Sequence, residues 1–412
     1  MGKMKFNIIK SFLDTDFYKF TMGQFVWKHY PDIPIVYAFK CRTKDVQLGK
    51  IMDFHRLHRV MEEIRELKPT EEEIRYLSNL NAQDGKIFSK DYLDFLSNIK
   101  LPPFRLDVVG DNLIIEVGGK WSEAIYWETF ILSAVNELYY REIIRDHDIG
   151  DIMEEGIANI NYKKAVLKTH PEVKFIEFGT RRRFSRVWQS RVFDEFLKLG
   201  PAQCLGTSNV FLAKEYNSIP RGTMAHELFM VAAGIYRSID ETAVRASQFK
   251  TMYLWEEMYG EHLSIALTDT FGSEFFFKTC PDHMAKSLRG LRQDSGNPLE
   301  FGERAIKFYR ENEIDPKSKQ IVFSDGLTVN AMIHIASQFK DRIGVNFGWG
   351  TNLTNDLGLK PLSIVVKPKI AAGNNLVKLS DNLAKATGHP EEVALYKKIF
   401  GYVDMGYQEC IY

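Results

Sequence analysis

The chain has 412 residues, enough for two or three domains at roughly 100–200 residues each. Lys plus Arg number 54 and Asp plus Glu number 54, so the formal charge is zero and no global basic field exists to hold nucleic acid or an anionic membrane. Apolar residues at 45% and charged residues at 26% describe a globular chain, too apolar for disorder.

Cys41, Cys204, Cys280 and Cys410 are scattered, which excludes a C-x-x-C redox site and a local Cys-based zinc site. Reduced thiols and a cytoplasmic location are expected. The opening MGKMKFNIIK has no apolar core of a signal peptide, and Phe6 stands where a myristoylation signal wants Ser or Thr. No apolar run reaches the roughly 18 residues of a membrane span.

In chain order, Asp14-Thr15-Asp16 supplies N-cap chemistry for a helix over FYKFTMGQFVWKHY, ended by Pro31 and Pro34. IVYAFKCR alternates like a strand, and residues 51–67 and 70–98 are charged and helical. Two apolar runs joined by Asp111-Asn112 predict a hairpin. Residues 121–147 form a long aromatic helix. From about residue 170, eight short apolar runs end in Gly, Ser, Thr or Asp clusters: at 175–182, 203–209, 219–227, 265–273, 290–298, 321–327, 345–352 and 363–368. Helical sequence follows most of them, which implies parallel strands. The expected fold class is α/β: an irregular α/β barrel over 121–368 with an N-terminal α+β domain over 1–120, joined by the tail 369–412. An open doubly wound sheet is the alternative. In either, the loops at the strand C-termini form one site.

Those loops carry the chemistry. In GLRQDSGNP, Arg292 and Asp294 face the same way on an extended segment. The guanidinium can grip a carboxylate or phosphate, and Asp294 beside it stays ionised; a plain ion pair at a strand end would explain the same residues. In IPRGTMAHEL, Thr223 as N-cap would put His226 at the third helical position, where the helix end lowers its pKa and leaves a neutral, nucleophilic imidazole. A structural histidine near a cap is the alternative. Gly326, Gly348, Gly350 and Thr351 sit in loops whose backbone N–H groups could cradle a phosphate, or in ordinary turns. Phe178 offers a flat face or a core ring, with Arg181, Arg182 and Arg183 behind it. Asp269 and Thr270 add a carboxylate and hydroxyl at another strand end. His55 and His58, three apart on a charged helix, read as surface.

Taken together, LDTDFYKFTM, EFGTRR, LGTSNVFLA, GTMAHE, LTDTFGS, RQDSGNP, FSDGL and FGWGTNL resemble nicotinate phosphoribosyltransferases, in order from Leu13 to Lys378. The resemblance implies an enzyme of NAD salvage. It would join nicotinate to phosphoribosyl pyrophosphate with Mg²⁺, coupled to ATP hydrolysis through a phosphohistidine at His226, in a homodimer with a shared site. It further implies that Phe178 stacks on the pyridine ring and Tyr18 of a neighbouring subunit on its other side. Arg292 would meet the nicotinate carboxylate, and Arg181 a phosphate or carboxylate. Asp294 and Asp269 would line the ribose and pyrophosphate region, and Gly326, Gly350, Thr351 and Asn352 the 5′-phosphate. The loop in which the related nicotinamide enzyme has an acidic residue reads Gly206-Thr207-Ser208-Asn209 here, without a carboxylate, which favours an anionic substrate; Thr207 and Ser208 are expected to line it. Competing readings are a sister transferase for nicotinamide or quinolinate, a sugar-phosphate aldolase using Lys367, and a silent metabolite sensor.

Overall fold

A computed structural model describes residues 8–82, 85–222 and 224–403. Some early elements follow their sequence signals; others are corrected. The stretch 70–98 is two helices, Glu71–Ser78 and Lys90–Ser97, with the short strands Asn81–Ala82 and Gly85–Lys86 paired between them, and 121–147 splits into Trp121–Ala124 and Trp127–Ile143. The first helix runs Phe17–His29 and strand Pro34–Cys41 follows. The hairpin forms as Phe104–Val109 paired antiparallel with Asn112–Lys120, closing at Val109 and Asn112. Helix Trp127–Ile143 is buried along most of its length, as its aromatic composition requires.

Asp16 departs from expectation. It flanks the first helix, but its side chain makes no capping bond. It is buried, accepts from Ser208 Oγ at 2.7 Å and pairs with Arg181 Nε at 3.4 Å.

Six of the eight anticipated strands build one parallel sheet, in the order Cys204–Thr207, Phe175–Glu177, Gly344–Trp349, Gln320–Phe323, Gly290–Gln293 and Ile265–Leu267. The fold class is α/β. No strand pairing among the described residues joins the two outer strands, so hydrogen bonds do not close the sheet into a ring. Two anticipated strands are corrected. The run 219–227 contributes a single parallel bridge, Pro220 to Thr207, because Pro220 has no N–H to extend a ladder. The run 363–368 belongs to strand Ile364–Ala371, which pairs antiparallel with Pro34–Cys41. It thereby enters a five-stranded antiparallel sheet with the hairpin and the short strand Asn374–Asn375. Its alternating burial, apolar one side and polar the other, is the mark of an antiparallel strand with one face packed.

Parallel pairing brings all six strand C-termini to one edge of the sheet. The antiparallel sheet lies across that edge: Ile364, Val366, Lys367 and Pro368 share a cavity with Phe178, Asp294 and Gly350. One continuous apolar core underlies both sheets. No helix among the described residues is long and apolar enough to cross a membrane.

Candidate active site

Nine of the anticipated site residues border this cavity: Phe178, Arg181, His226, Arg292, Asp294, Gly326, Gly350, Thr351 and Asn352. They come from four strand ends and one helix start, so only the fold brings them together.

The centre is His226. Thr223 lies outside the described residues, and Ala225 is the residue flanking helix His226–Tyr236. His226 is therefore the first helical residue, not the third as the sequence suggested. Its Nε2 lies 3.0 Å from Asp294 Oδ2 and its Nδ1 3.0 Å from Thr270 Oγ1. Burial and the nearby Lys378 push its pKa down to about 4, against the pull of Asp269 and Asp294. Those carboxylates are already balanced by cations. Arg292 Nη2 donates to Asp294 Oδ1 at 2.9 Å, and Lys378 Nζ lies 3.7 Å from Asp269. The ring is thus neutral at pH 7, helped by the positive end of its helix. Burial opposes the charge on Asp294, yet Arg292, His226 and Lys385 around it hold its pKa well below the carboxylate range. With that carboxylate ionised, Nε2 carries the imidazole proton and Nδ1 accepts from Thr270.

Asp269 does not reach the cavity wall; it stands behind His226, Oδ1 3.7 Å from Nε2. Its Oδ2 accepts from Ser295 and from Ser380 Oγ at 3.2 Å, while Oδ1 is buried without a hydrogen-bond partner.

One end of the cavity is aromatic and cationic. Phe178 leaves strand Phe175–Glu177 with its N–H on Trp349 O at 2.8 Å. A Cβ on Gly348 would lie 2.5 Å from the Phe178 ring, so glycine there lets the ring lie against its neighbouring strand. The Arg292 guanidinium lies 5.8 Å from that ring's centroid. Arg292 also donates through Nε to Ser324 Oγ at 2.9 Å. Asn352 Nδ2 donates to Leu327 O at 3.0 Å, tying the two glycine loops together.

Three anticipated residues sit elsewhere. Tyr18 is buried, its hydroxyl 3.1 Å from Glu128 Oε2 and its ring 5.8 Å from the Arg181 guanidinium. The chain's own Tyr18 thus packs behind its own cavity wall. Thr207 and Ser208 do not touch the cavity. Thr207 donates to the buried Glu177, Ser208 to Asp16, and both support the loop from within.

Sequence reasoning missed three basic residues on the cavity wall, Arg42, Lys378 and Lys385, and gave a fourth, Lys367, only to the aldolase alternative. Lys385 donates to Asp294 O at 2.8 Å and pairs with Asp325. Burial, then Lys378, Arg42 and Lys385, drive the Lys367 pKa well below the ammonium range. Crowding of this kind favours the neutral amine of Lys367 until an anion lies beside it. The alternation of VVKP marks Lys367 as lying on one face, but nothing local in the sequence tells that the tail after Pro368 returns Lys378 and Lys385 to the strand ends.

The nicotinate phosphoribosyltransferase (NAPRTase) family matches residues 173–404, and the N-terminal domain of the same family matches residues 13–136. A nicotinate phosphoribosyltransferase of Bordetella petrii is 36% identical over 402 residues, covering 95% of this chain and 98% of that one. One from Burkholderia mallei is 37% identical over 404 residues, covering 96% and 97%. The crystal structure of nicotinate phosphoribosyltransferase from Porphyromonas gingivalis superposes with a TM-score of 0.85 at 32% identity, covering 96% of this chain and all of that one. That from Vibrio cholerae gives 0.87 at 29%, covering 96% and 95%. The chain belongs to the nicotinate phosphoribosyltransferase family.

Proposed function

We propose that this chain joins nicotinate to phosphoribosyl pyrophosphate, giving nicotinate mononucleotide and pyrophosphate in NAD salvage, and couples that step to ATP hydrolysis through a phosphohistidine at His226. The observation that carries the reading is one juxtaposition. The His226 imidazole, held by Asp294 and Thr270, shares a cavity with an aromatic face, Arg292 and a cluster of basic side chains.

In the transfer, the pyridine nitrogen attacks ribose C1 and the bond from C1 to the pyrophosphate oxygen breaks. Phe178 stacks on the ring, and Arg292 and Arg181 supply positive charge for its carboxylate, so orientation is fixed before attack. Positive charge grows on the ring and ribose, and Asp294 offsets it. Lys367, Lys378 and Lys385 take the phosphate oxygens of the departing group. Gly326, Gly350, Thr351 and Asn352 border the place for the 5′-phosphate. In the ATP step, a ring nitrogen of His226 attacks the γ-phosphorus, ADP departs, and water later releases phosphate. One of the two imidazole hydrogen bonds must open for this to occur.

Mg²⁺ would neutralise phosphate charge when bound. No group of three candidate ligands surrounds a point among the described residues, so an all-protein cage is not built. Mg²⁺ commonly needs only one or two carboxylates plus substrate phosphates. Asp294, on the cavity wall, fits that requirement. A homodimer and a cytoplasmic location complete the reading.

Side-by-side turnover with nicotinate, nicotinamide and quinolinate tests the reading. Nicotinate mononucleotide and pyrophosphate should form in equal amounts, with ATP consumed. Preference for either other pyridine would overturn it.

A further inference from the structure

Lys19 is fully buried, yet it touches no substrate space. Its Nζ lies 2.6 Å from Glu128 Oε2 and 2.6 Å from Glu227 Oε2. Glu128 is a wall residue at the pyridine end of the cavity, where its Oε1 lies 3.6 Å from Arg181 Nη1 and its Oε2 accepts from Tyr18. Glu227 is the residue after His226. Its Oε1 accepts from Trp121 Nε1 at 2.7 Å and from the Tyr37 hydroxyl, so its side chain is clamped on the face of the helix turned away from His226's partners. A chain of alternating charge therefore runs Arg181, Glu128, Lys19, Glu227, and ends one peptide from His226.

We infer that Lys19 is a positioning residue that ties occupancy of the pyridine end to the start of the helix carrying His226. The inference rests on the ATP coupling proposed above. An anionic carboxylate arriving at Arg181 competes with Glu128 for that guanidinium. Lys19 is then the cation left beside Glu128, which keeps the Tyr18 hydroxyl as well, and the share of Lys19 left for Glu227 changes. In a buried, weakly screened site such a redistribution is felt along the whole chain of charges. Glu227 cannot move without moving the first turn of the helix, where Trp121 and Tyr37 also hold it. The result is a coupling between nicotinate binding and phosphoryl chemistry at His226, carried by three buried side chains.

The test compares the full-length wild type with Lys19→Met, Lys19→Arg and Glu128→Gln, each checked for an intact thermal transition. Two quantities are read: phosphate incorporated from ATP into His226, and ATP hydrolysed per nicotinate mononucleotide formed. Lys19→Met should still label His226, because Asp294, Asp269 and Thr270 are untouched. Its ATP consumed per product should rise by about fivefold, the lower end of ordinary coupling factors, and its nicotinate KM should rise with it. Lys19→Arg should recover part of the ratio. Glu128→Gln, which keeps the lysine in place and leaves only one carboxylate to lose, should raise the ratio in the same direction even if Lys19→Met fails to fold. An unchanged ratio in folded Glu128→Gln and either folded Lys19 variant overturns the inference while leaving ATP coupling intact. A wild-type chain that never labels overturns both.

Discussion

His226 donates a hydrogen bond from Nε2 to Asp294 across 3.0 Å, and Asp294 is in turn clamped by Arg292 at 2.9 Å. The three side chains form one unit in which the carboxylate stays charged and the imidazole stays neutral.

That unit predicts how stability responds to acid. His226 has its pKa lowered to about 4 in the fold, against 6.5 when exposed. Between those values the unfolded chain binds the extra proton, so stability falls as pH drops from about 6.5 toward 4 and is unaffected by this group above 6.5. The full effect is about 3 kcal/mol. Asp294 loses its contribution only below that window, because its folded pKa lies under 3.8. Denaturant unfolding at pH 4.5 and pH 7 should show a smaller pH difference for His226→Gln than for wild type. Equal differences would place the acid sensitivity elsewhere.

Asp294→Asn keeps the hydrogen-bond geometry and removes the charge. Phosphohistidine formation should slow by about 100-fold, in the range usual for removing a positioned acid–base partner. Arg292 would lose its ion pair in a buried setting, at about 3 kcal/mol of stability. Single-turnover labelling, with melting as control, reads both effects. Unimpaired labelling would show that the carboxylate only orients the ring.

Gly348→Ala should act on one substrate. The added Cβ would sit 2.5 Å from the Phe178 ring, so the ring must tilt. The nicotinate KM should rise by about tenfold, the upper value of an aromatic stacking contact. The KM for phosphoribosyl pyrophosphate should stay near wild type. A parallel rise in both would mean that the loop, not the ring, has been disturbed.

Ser208 is the position that a comparison of sequences would mutate first to change specificity. The structure argues otherwise. Ser208 Oγ donates to Asp16 at 2.7 Å inside the protein. Burial already raises the pKa of Asp16, against the pull of Arg181 and Ser208. Ser208→Asp would set two carboxylates together there, with about 3 kcal/mol lost and no gain for nicotinamide. Stability and turnover of both pyridines in the same variant decide this. A stable enzyme that accepts nicotinamide would restore Ser208 as a selector.

The strand-end loops were legible because each couples a short apolar run to turn chemistry, and six of the eight became neighbours in one sheet. The failures have physical causes. The run at 363–368 has the length and composition of a parallel strand, but its partner, Pro34–Cys41, is more than 320 residues away. Pairing at that distance leaves no local trace. The same return path carries Lys378 and Lys385 to the cavity, so those cations were invisible too. Asp16 looks like a cap in sequence because caps and buried acid networks use the same side chain. Only the nearness of Ser208 and Arg181 decides between them.

The most direct measurement is to incubate the protein with γ-labelled ATP and Mg²⁺, digest it under alkaline conditions and locate the acid-labile phosphate. Phosphate should lie on the peptide containing His226, be absent from His226→Ala, and be discharged when nicotinate and phosphoribosyl pyrophosphate are added together. Phosphate on another residue, or full labelling of His226→Ala, would contradict the account.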